Sequence, residues 1–223
     1  MLEEIKHVYL RSHPLFNNLC EKRLCEARSV ARVKIVQRGD VLYFVENDYS
    51  KIYLLIKENI KIRTSDRMGN EFIDIINAPD IFGDLSLEEH IHADQCAEAV
   101  SDNTIVCCFR ATDFRRILED NQLMFMHYVN MVNRKLRKME SRYSDLVYLD
   151  AKERLVRFIK TWAKANGSQH GDKIIVRNDL THSDIAAVIS TSRQSVNVLL
   201  NELKGLGVIQ YDRKQFELNA SFI

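Results

Sequence analysis

The chain has 223 residues, with 46% hydrophobic and 28% charged side chains, the make-up of a folded globular protein with room for two domains. Its 32 Lys and Arg nearly balance 31 Asp and Glu, and the net charge of +1 singles out no class of partner. No apolar run is long enough to span a membrane, and Met1–Arg11 has no signal-peptide pattern.

Residues 3–30 read as amphipathic helix, interrupted at His13-Pro14-Leu15-Phe16, where Pro14 suits a first helical turn. From Ala31 the pattern turns to short β-branched and aromatic runs. These are Lys34–Gln37, Val41–Val45, Lys51–Ile56, Asn59–Arg63 and Glu71–Ile76, then runs around Cys96–Val100 and Thr104–Phe109. Gly39-Asp40, Glu46-Asn47-Asp48, Met68-Gly69-Asn70 and Ala78-Pro79-Asp80 punctuate them as turns. Evenly spaced strands of this kind predict a sandwich or barrel.

From Ala111 the period is helical again. Phe125, Val129, Val132, Leu136, Met139, Tyr143 and Leu146 step by fours and threes, the seam of a coiled coil. Arg134, Lys135, Arg137, Lys138, Glu140 and Arg142 flank it and would solvate a two-stranded pair, so a parallel homodimer is expected. The seam stops at Tyr148-Leu149. Asp150 with Glu153 has the spacing of a capping box, so a new helix starts there and the join is a hinge candidate. Its core side is Leu155, Val156, Phe158, Ile159 and Trp162. Asn166–Ser168 and His170–Asp172 read as loop, and Lys173–Arg177 as a strand.

Asn178 to Leu218 carries the strongest functional signal. Thr181 with Asp184 caps a short helix with an apolar side of Ile185, Ala186, Val188 and Ile189. Ser190–Ser192 break it, and Thr191 with Gln194 offers a second capping pair. A second helix follows, with Val196, Leu199, Leu200 and Leu203 inward and Arg193, Gln194, Asn197 and Asn201 outward. Arg pairs two donors with the major-groove edge of guanine, and Gln or Asn does so with adenine. Ser192 and Ser195 flank the helix start for phosphates, as a recognition helix requires. Val208–Tyr211 and Gln215–Leu218 form a hairpin wing whose tip carries Arg213 and Lys214. With Thr181 these residues complete the candidate DNA-binding set. Residues 151–223 hold 11 Lys and Arg against 7 Asp and Glu, a modest basic excess on the same side.

The five cysteines form no C-x-x-C pair. Cys20 with Cys25, and the adjacent Cys107 and Cys108, suit neither a metal clamp nor a secreted disulfide framework. They read as structural thiols in a reducing cytoplasm, and no metal or cofactor is expected. There is no nucleophile elbow, phosphate loop or H-E-x-x-H, so the chain is not read as an enzyme. The alternative to a DNA reader is a ligand-sensing or protein-interaction module whose helix-turn-helix mediates protein contacts.

The order of these parts resembles the Crp–Fnr family of bacterial transcription regulators. The matching pieces are Pro14-Leu15-Phe16, Phe82-Gly83-Asp84-Leu85-Ser86-Leu87, Tyr148-Leu149-Asp150 with Arg154-Leu155, and Leu180-Thr181 through Ser192-Arg193-Gln194-Ser195-Val196. The resemblance implies an α+β chain. Residues 1–115 would form a double-stranded β-helix or jelly-roll sensor domain of the cyclic-nucleotide-binding type. Residues 116–149 would form a dimerisation helix, and 150–223 a winged helix-turn-helix. It also implies a homodimer on double-stranded DNA with two related half-sites, RNA polymerase as a partner, and Arg193, Gln194 and Asn197 at base-reading positions. Many members have Glu where Gln194 stands and Arg where Val198 stands, so the preferred bases should differ.

In the same resemblance the effector pocket would comprise Gly83, Asp84, Leu85, Ala93, Asp94, Met139 and Glu140. Members that bind cyclic nucleotides hold the phosphate with an Arg-Ser pair, which falls here at Ala93-Asp94. Their purine contact, Thr-Ser, falls at Met139-Glu140. Residues 83–99 contain five carboxylates and no Lys or Arg, so a cyclic nucleotide is not the expected effector. Cys20 and Cys25 do not supply an iron–sulfur motif. His90 and His92 read as loop histidines beside acids, not as haem or metal ligands.

Overall fold

The computed structural model describes residues 2–46, 49–65, 71–87, 95–212 and 214–222. The chain divides into two compact units, Met1–Lys138 and Met139–Ile223.

The first unit begins with α1 (Leu2–Ser12) and α2 (Glu21–Val30), interrupted around Pro14 as expected, but Pro14 lies in a turn between the helices and not in a first helical turn, because α2 starts only at Glu21. Strands β1 (Arg32–Val36), β2 (Val41–Tyr43), β3 (Val45–Glu46), β4 (Tyr49–Lys57), β5 (Asn59–Ser65), β6 (Glu71–Asn77), β7 (Asp80–Gly83), β8 (Gln95–Ala99) and β9 (Thr104–Arg110) follow. They form two antiparallel sheets, one in the order β1-β9-β4-β3 with β7 also on β4, the other β2-β8-β5-β6. The single expected strand Val41–Val45 is broken at Phe44. Its ring turns into the core against Tyr53 and Phe82, and its carbonyl accepts from the Lys51 amide at 2.8 Å. Strand β7, read as part of a turn, pairs with β4 along Asp80–Gly83.

Strand alternation divides the apolar core in two. From β4 and β9, Tyr53, Leu55, Val106 and Cys108 point between the sheets, with Ile60, Ala97 and Phe82. Ile52, Leu54, Cys107 and Phe109 point the other way, under a layer of helices. This is why β4 reads as a continuous apolar run: it is buried on both faces. The helical cover comprises α1, α2, α3 (Ala111–Glu119) and the start of α4 (Gln122–Tyr148). Met124, Tyr128 and Met131 are the buried residues of α4.

The second unit contains α5 (Ala151–Asn166), β10 (Gly167–His170), β11 (Lys173–Arg177), α6 (His182–Ile189), α7 (Arg193–Gly205), β12 (Ile209–Tyr211) and β13 (Gln215–Asn219). The strands form one antiparallel sheet, β10-β11-β13-β12. The segment Gly167–His170, read as loop, is a strand because it pairs with β11. Gly167 lies so close to α5 that a Cβ there would sit 2.5 Å from the Ala163 carbonyl oxygen. Leu155, Ile159, Trp162, Val196, Leu200, Leu203, Phe216 and Leu218 are buried.

Candidate nucleic-acid interface

The helix-turn-helix is built from local capping. Thr181 Oγ1 accepts from the Asp184 amide at 3.1 Å, and Asp184 Oδ2 accepts from the Thr181 amide at 2.9 Å, the reciprocal box expected from their spacing. The Thr181 hydroxyl also donates to Asp184 Oδ2 at 2.7 Å, so it is committed to the cap. Helix α6 ends at Ser190, which has φ 53° and ψ 61°, left-handed backbone that turns the chain sharply. That turn moves the start of α7. The cap is Ser192, whose Oγ accepts from the Ser195 amide at 3.0 Å, not Thr191 paired with Gln194. Ser192 and Ser195 hydroxyls lie 2.9 Å apart at the same helix start.

Two guanidinium groups close the other end of α6. Arg154 on α5 donates from Nε to the Ile189 carbonyl at 2.9 Å, from Nη2 to Ser190 at 3.3 Å, and from Nη1 to Leu149 at 2.6 Å. Arg142, near the end of α4, donates to the Val188 carbonyl at 2.6 Å. Cations at a helix C-terminus satisfy its orphan carbonyls and oppose the negative end of its dipole. Neither residue belonged to the sequence-derived site, where Arg142 was a solvating flank and Arg154 a family match only.

Helix α7 buries Val196, Leu200 and Leu203, half-buries Leu199, and exposes Arg193, Gln194, Asn197 and Asn201. Val198 is 64% exposed, so it belongs to the outward face rather than the core. Asn201 differs from its outward neighbours: its Oδ1 accepts from the Tyr211 hydroxyl at 3.1 Å, tying α7 to the wing. At the wing tip, Asp212 Oδ1 accepts the amides of Lys214 at 2.6 Å and Gln215 at 2.8 Å. Those bonds hold the Asp212 carboxyl below its ordinary value. Lys214 is exposed; Arg213 lies outside the described residues.

In the first unit, Gly83 has φ +101°, and a Cβ there would stand 2.4 Å from the Lys51 carbonyl oxygen, so only glycine lets this turn approach β4. Asp84 donates its amide to that oxygen at 2.9 Å. Its Oδ1 accepts from the Ser86 amide at 3.1 Å and hydroxyl at 2.6 Å. The Tyr128 hydroxyl, from α4, donates to the Leu85 carbonyl. Helix α4 also binds the roll through Lys135 on Asp80 at 2.6 Å and Lys138 on Asp74 at 2.9 Å, so these two lysines are not the solvating flank expected of them. Burial pulls the Lys135 ammonium below the ordinary lysine value, with the Asp80 carboxylate opposing. Ala93, Asp94, His90 and His92 lie outside the described residues, while Met139 and Glu140 are exposed in the second unit.

Along α4 the expected seam is graded. Val129 and Val132 are half-buried, with Val132 against the chain's own core, whereas Phe125, Leu136, Met139, Tyr143 and Leu146 are 44–71% exposed. Of the cysteines, Cys107 and Cys108 are buried, but Cys20 is exposed as the cap of α2, and Cys25 and Cys96 are intermediate. Among the described residues no group of three or more His, Cys, Asp or Glu is placed to hold a metal ion, and no helix is long and apolar enough to cross a membrane.

Comparison with known proteins agrees with this layout. A cyclic nucleotide-binding domain model matches residues 33–121, and a Crp-like helix-turn-helix domain model matches residues 153–220. A CRP-like cAMP-activated global transcriptional regulator of Mycobacterium tuberculosis is 24% identical over 185 residues, 82% of each chain. The anaerobic regulatory protein of Bacillus subtilis is 24% identical over 207 residues, 92% of this chain and 87% of the other. The structure of FixK2 from Bradyrhizobium japonicum shares the fold with a TM-score of 0.73 at 18% identity, covering 86% of this chain and 94% of that one. These matches take in both the strand-rich unit and the winged unit, in the same order, and the named regulators are not enzymes. With its nucleotide-binding-type β domain, long helix and helix-turn-helix DNA-binding domain, the chain belongs to the Crp–Fnr family of transcription regulators.

Proposed function

We propose that this regulator works as a homodimer that reads two related half-sites on double-stranded DNA with Arg193, Gln194 and Asn197 and docks on the backbone through its wing. The observation that carries this is the first two turns of α7. Arg193, Gln194 and Asn197 are exposed there, and among the described residues no side chain occupies their donors and acceptors. Long polar side chains at an open helix start suit base edges in a major groove. Val198 on the same face adds an apolar contact suited to a thymine methyl. Thr181, Ser192, Ser195 and Asn201 support the reader by capping or bracing it, and Lys214 with Arg213 supplies wing charge for phosphates. Its setting is the cytoplasm, and by family resemblance it contacts RNA polymerase.

Selection of bound oligonucleotides from a random pool tests the reading. A two-fold related site should emerge. On that site Arg193→Ala should cost about 1–3 kcal/mol, concentrated at one base position, whereas Lys214→Ala should weaken all DNA alike and flatten the salt dependence. Equal losses by both variants on selected and random DNA would refute the assignment.

A further inference from the structure

We propose that the turn after β7 is a binding site for a small organic cation, a primary amine or guanidine, whose N–H groups donate to Asp84. The proposal goes beyond the DNA reading proposed above and reverses the polarity that a cyclic phosphate would need. Asp84 is only 9% exposed. Its Oδ1 is saturated by Ser86, but its Oδ2 is buried with no hydrogen-bond partner in the protein. Asp84 is one of the residues that line a cavity of about 290 Å³. Phe44, Val45 and Leu85 give the cavity apolar walls, Ser86 and Gln95 add polar groups, and among the described residues no Lys or Arg lines it.

A buried carboxylate oxygen left without a partner is costly, and a donor or an opposite charge completes it. A phosphate would add like charge. A divalent metal fits poorly, because one carboxylate is too few oxygen ligands and no wider acidic group stands here among the described residues. An ammonium or guanidinium on a short hydrocarbon supplies both the missing donors and the opposite charge, and its methylenes suit the walls. Glu98, also in the acidic stretch, does not compete. It lies on the other side of β8 from Ala97 and Ala99, neutralised by Lys61 at 2.9 Å and Arg63 at 3.0 Å. Occupancy of this turn would be felt by α4, since the Tyr128 hydroxyl holds the Leu85 carbonyl.

The test uses the full chain with agmatine and putrescine as probes, and cyclic AMP, acetate and magnesium as comparators, read by calorimetric titration and thermal unfolding. Agmatine or putrescine should bind saturably and raise the unfolding midpoint, and the comparators should not. Asp84→Asn keeps the Oδ1 that caps Ser86, so it should fold; it should bind the amine about tenfold or more weakly, as expected for loss of a charge-assisted bond. Leu85→Phe, which narrows the cavity and leaves the carboxylate, should weaken binding as well. The proposal is overturned if neither amine binds, if both proteins bind it alike, or if cyclic AMP or magnesium binds in its place. These titrations need no DNA, so failure here and failure to select an operator are separate results.

Discussion

His13 follows α1 and is 1% exposed, with Nδ1 accepting from the Leu15 amide at 3.3 Å. Nε2, 3.2 Å from the Asp80 carbonyl, is then the protonated nitrogen of a neutral ring. Burial pulls its pKa from 6.5 down to about 4, against a smaller opposing effect of the Asp80 carbonyl. The unfolded chain therefore binds a proton that the folded chain refuses between these values. Stability is complete above about pH 6.5 and is lost as pH falls toward 4, on the order of 3 kcal/mol in all. His13→Gln should remove much of that slope in denaturant midpoints measured from pH 7 to 4.5; an unchanged slope would show that the ring is not the proton acceptor. The same physics acts with opposite sign on Cys107, whose thiol burial pushes up to about 12. The sequence marks neither effect, because His13 and Cys107 become buried only through β7, β9 and the helices over them.

At the scale of elements, what was legible was local. The boxes at Asp150/Glu153 and Thr181/Asp184 follow from residues three apart and form as spaced. The box expected at Thr191 slipped by one because Ser190 adopts left-handed backbone, which no neighbouring glycine announces. Strand β10 was missed because Gly167-Ser168-Gln169-His170 has no apolar alternation; its pairing with β11 makes it a strand. The guanidinium contacts of Arg142 and Arg154 reach across 46 and 35 residues to main-chain carbonyls, which leave no trace in a side-chain pattern. They nonetheless fix where α7 begins, since they hold the last carbonyls before the turn. Arg154→Ala should therefore destabilise the second unit by about 2 kcal/mol, and Arg154→Lys should recover only part, because an ammonium cannot reach three carbonyls as a planar fork does. Trp162, 5% exposed in α5, is the single tryptophan, so its fluorescence reports on this unit. A midpoint unchanged in Arg154→Ala would mean that the turn is held by packing alone.

For the whole molecule the informative quantity is apolar surface that one chain leaves in water. Helix α4 carries two stripes. Met124, Tyr128 and Met131 are spent on the chain's own core. Leu136 is 53% exposed, Met139 63%, Tyr143 71% and Leu146 44%, at the spacing of a coiled-coil seam. The period was visible in the sequence, but a one-dimensional pattern does not say which stripe the chain keeps for itself. Burying an exposed leucine contributes about 1.5–3 kcal/mol, so a few such residues per chain suffice to hold a dimer at micromolar concentration. The proposed two-fold pairing would put two recognition helices on one site, and the second would then bind at high effective concentration. Leu136→Asp places a carboxylate in the middle of the exposed stripe, where in the proposed dimer it would face its own copy. Sedimentation should show a single chain, and affinity for the full two-fold site should fall at least tenfold while affinity for an isolated half-site stays the same. A sedimentation mass equal to that of the unmodified protein would put the seam's partner elsewhere. A lowered mass with full operator affinity would separate DNA reading from pairing.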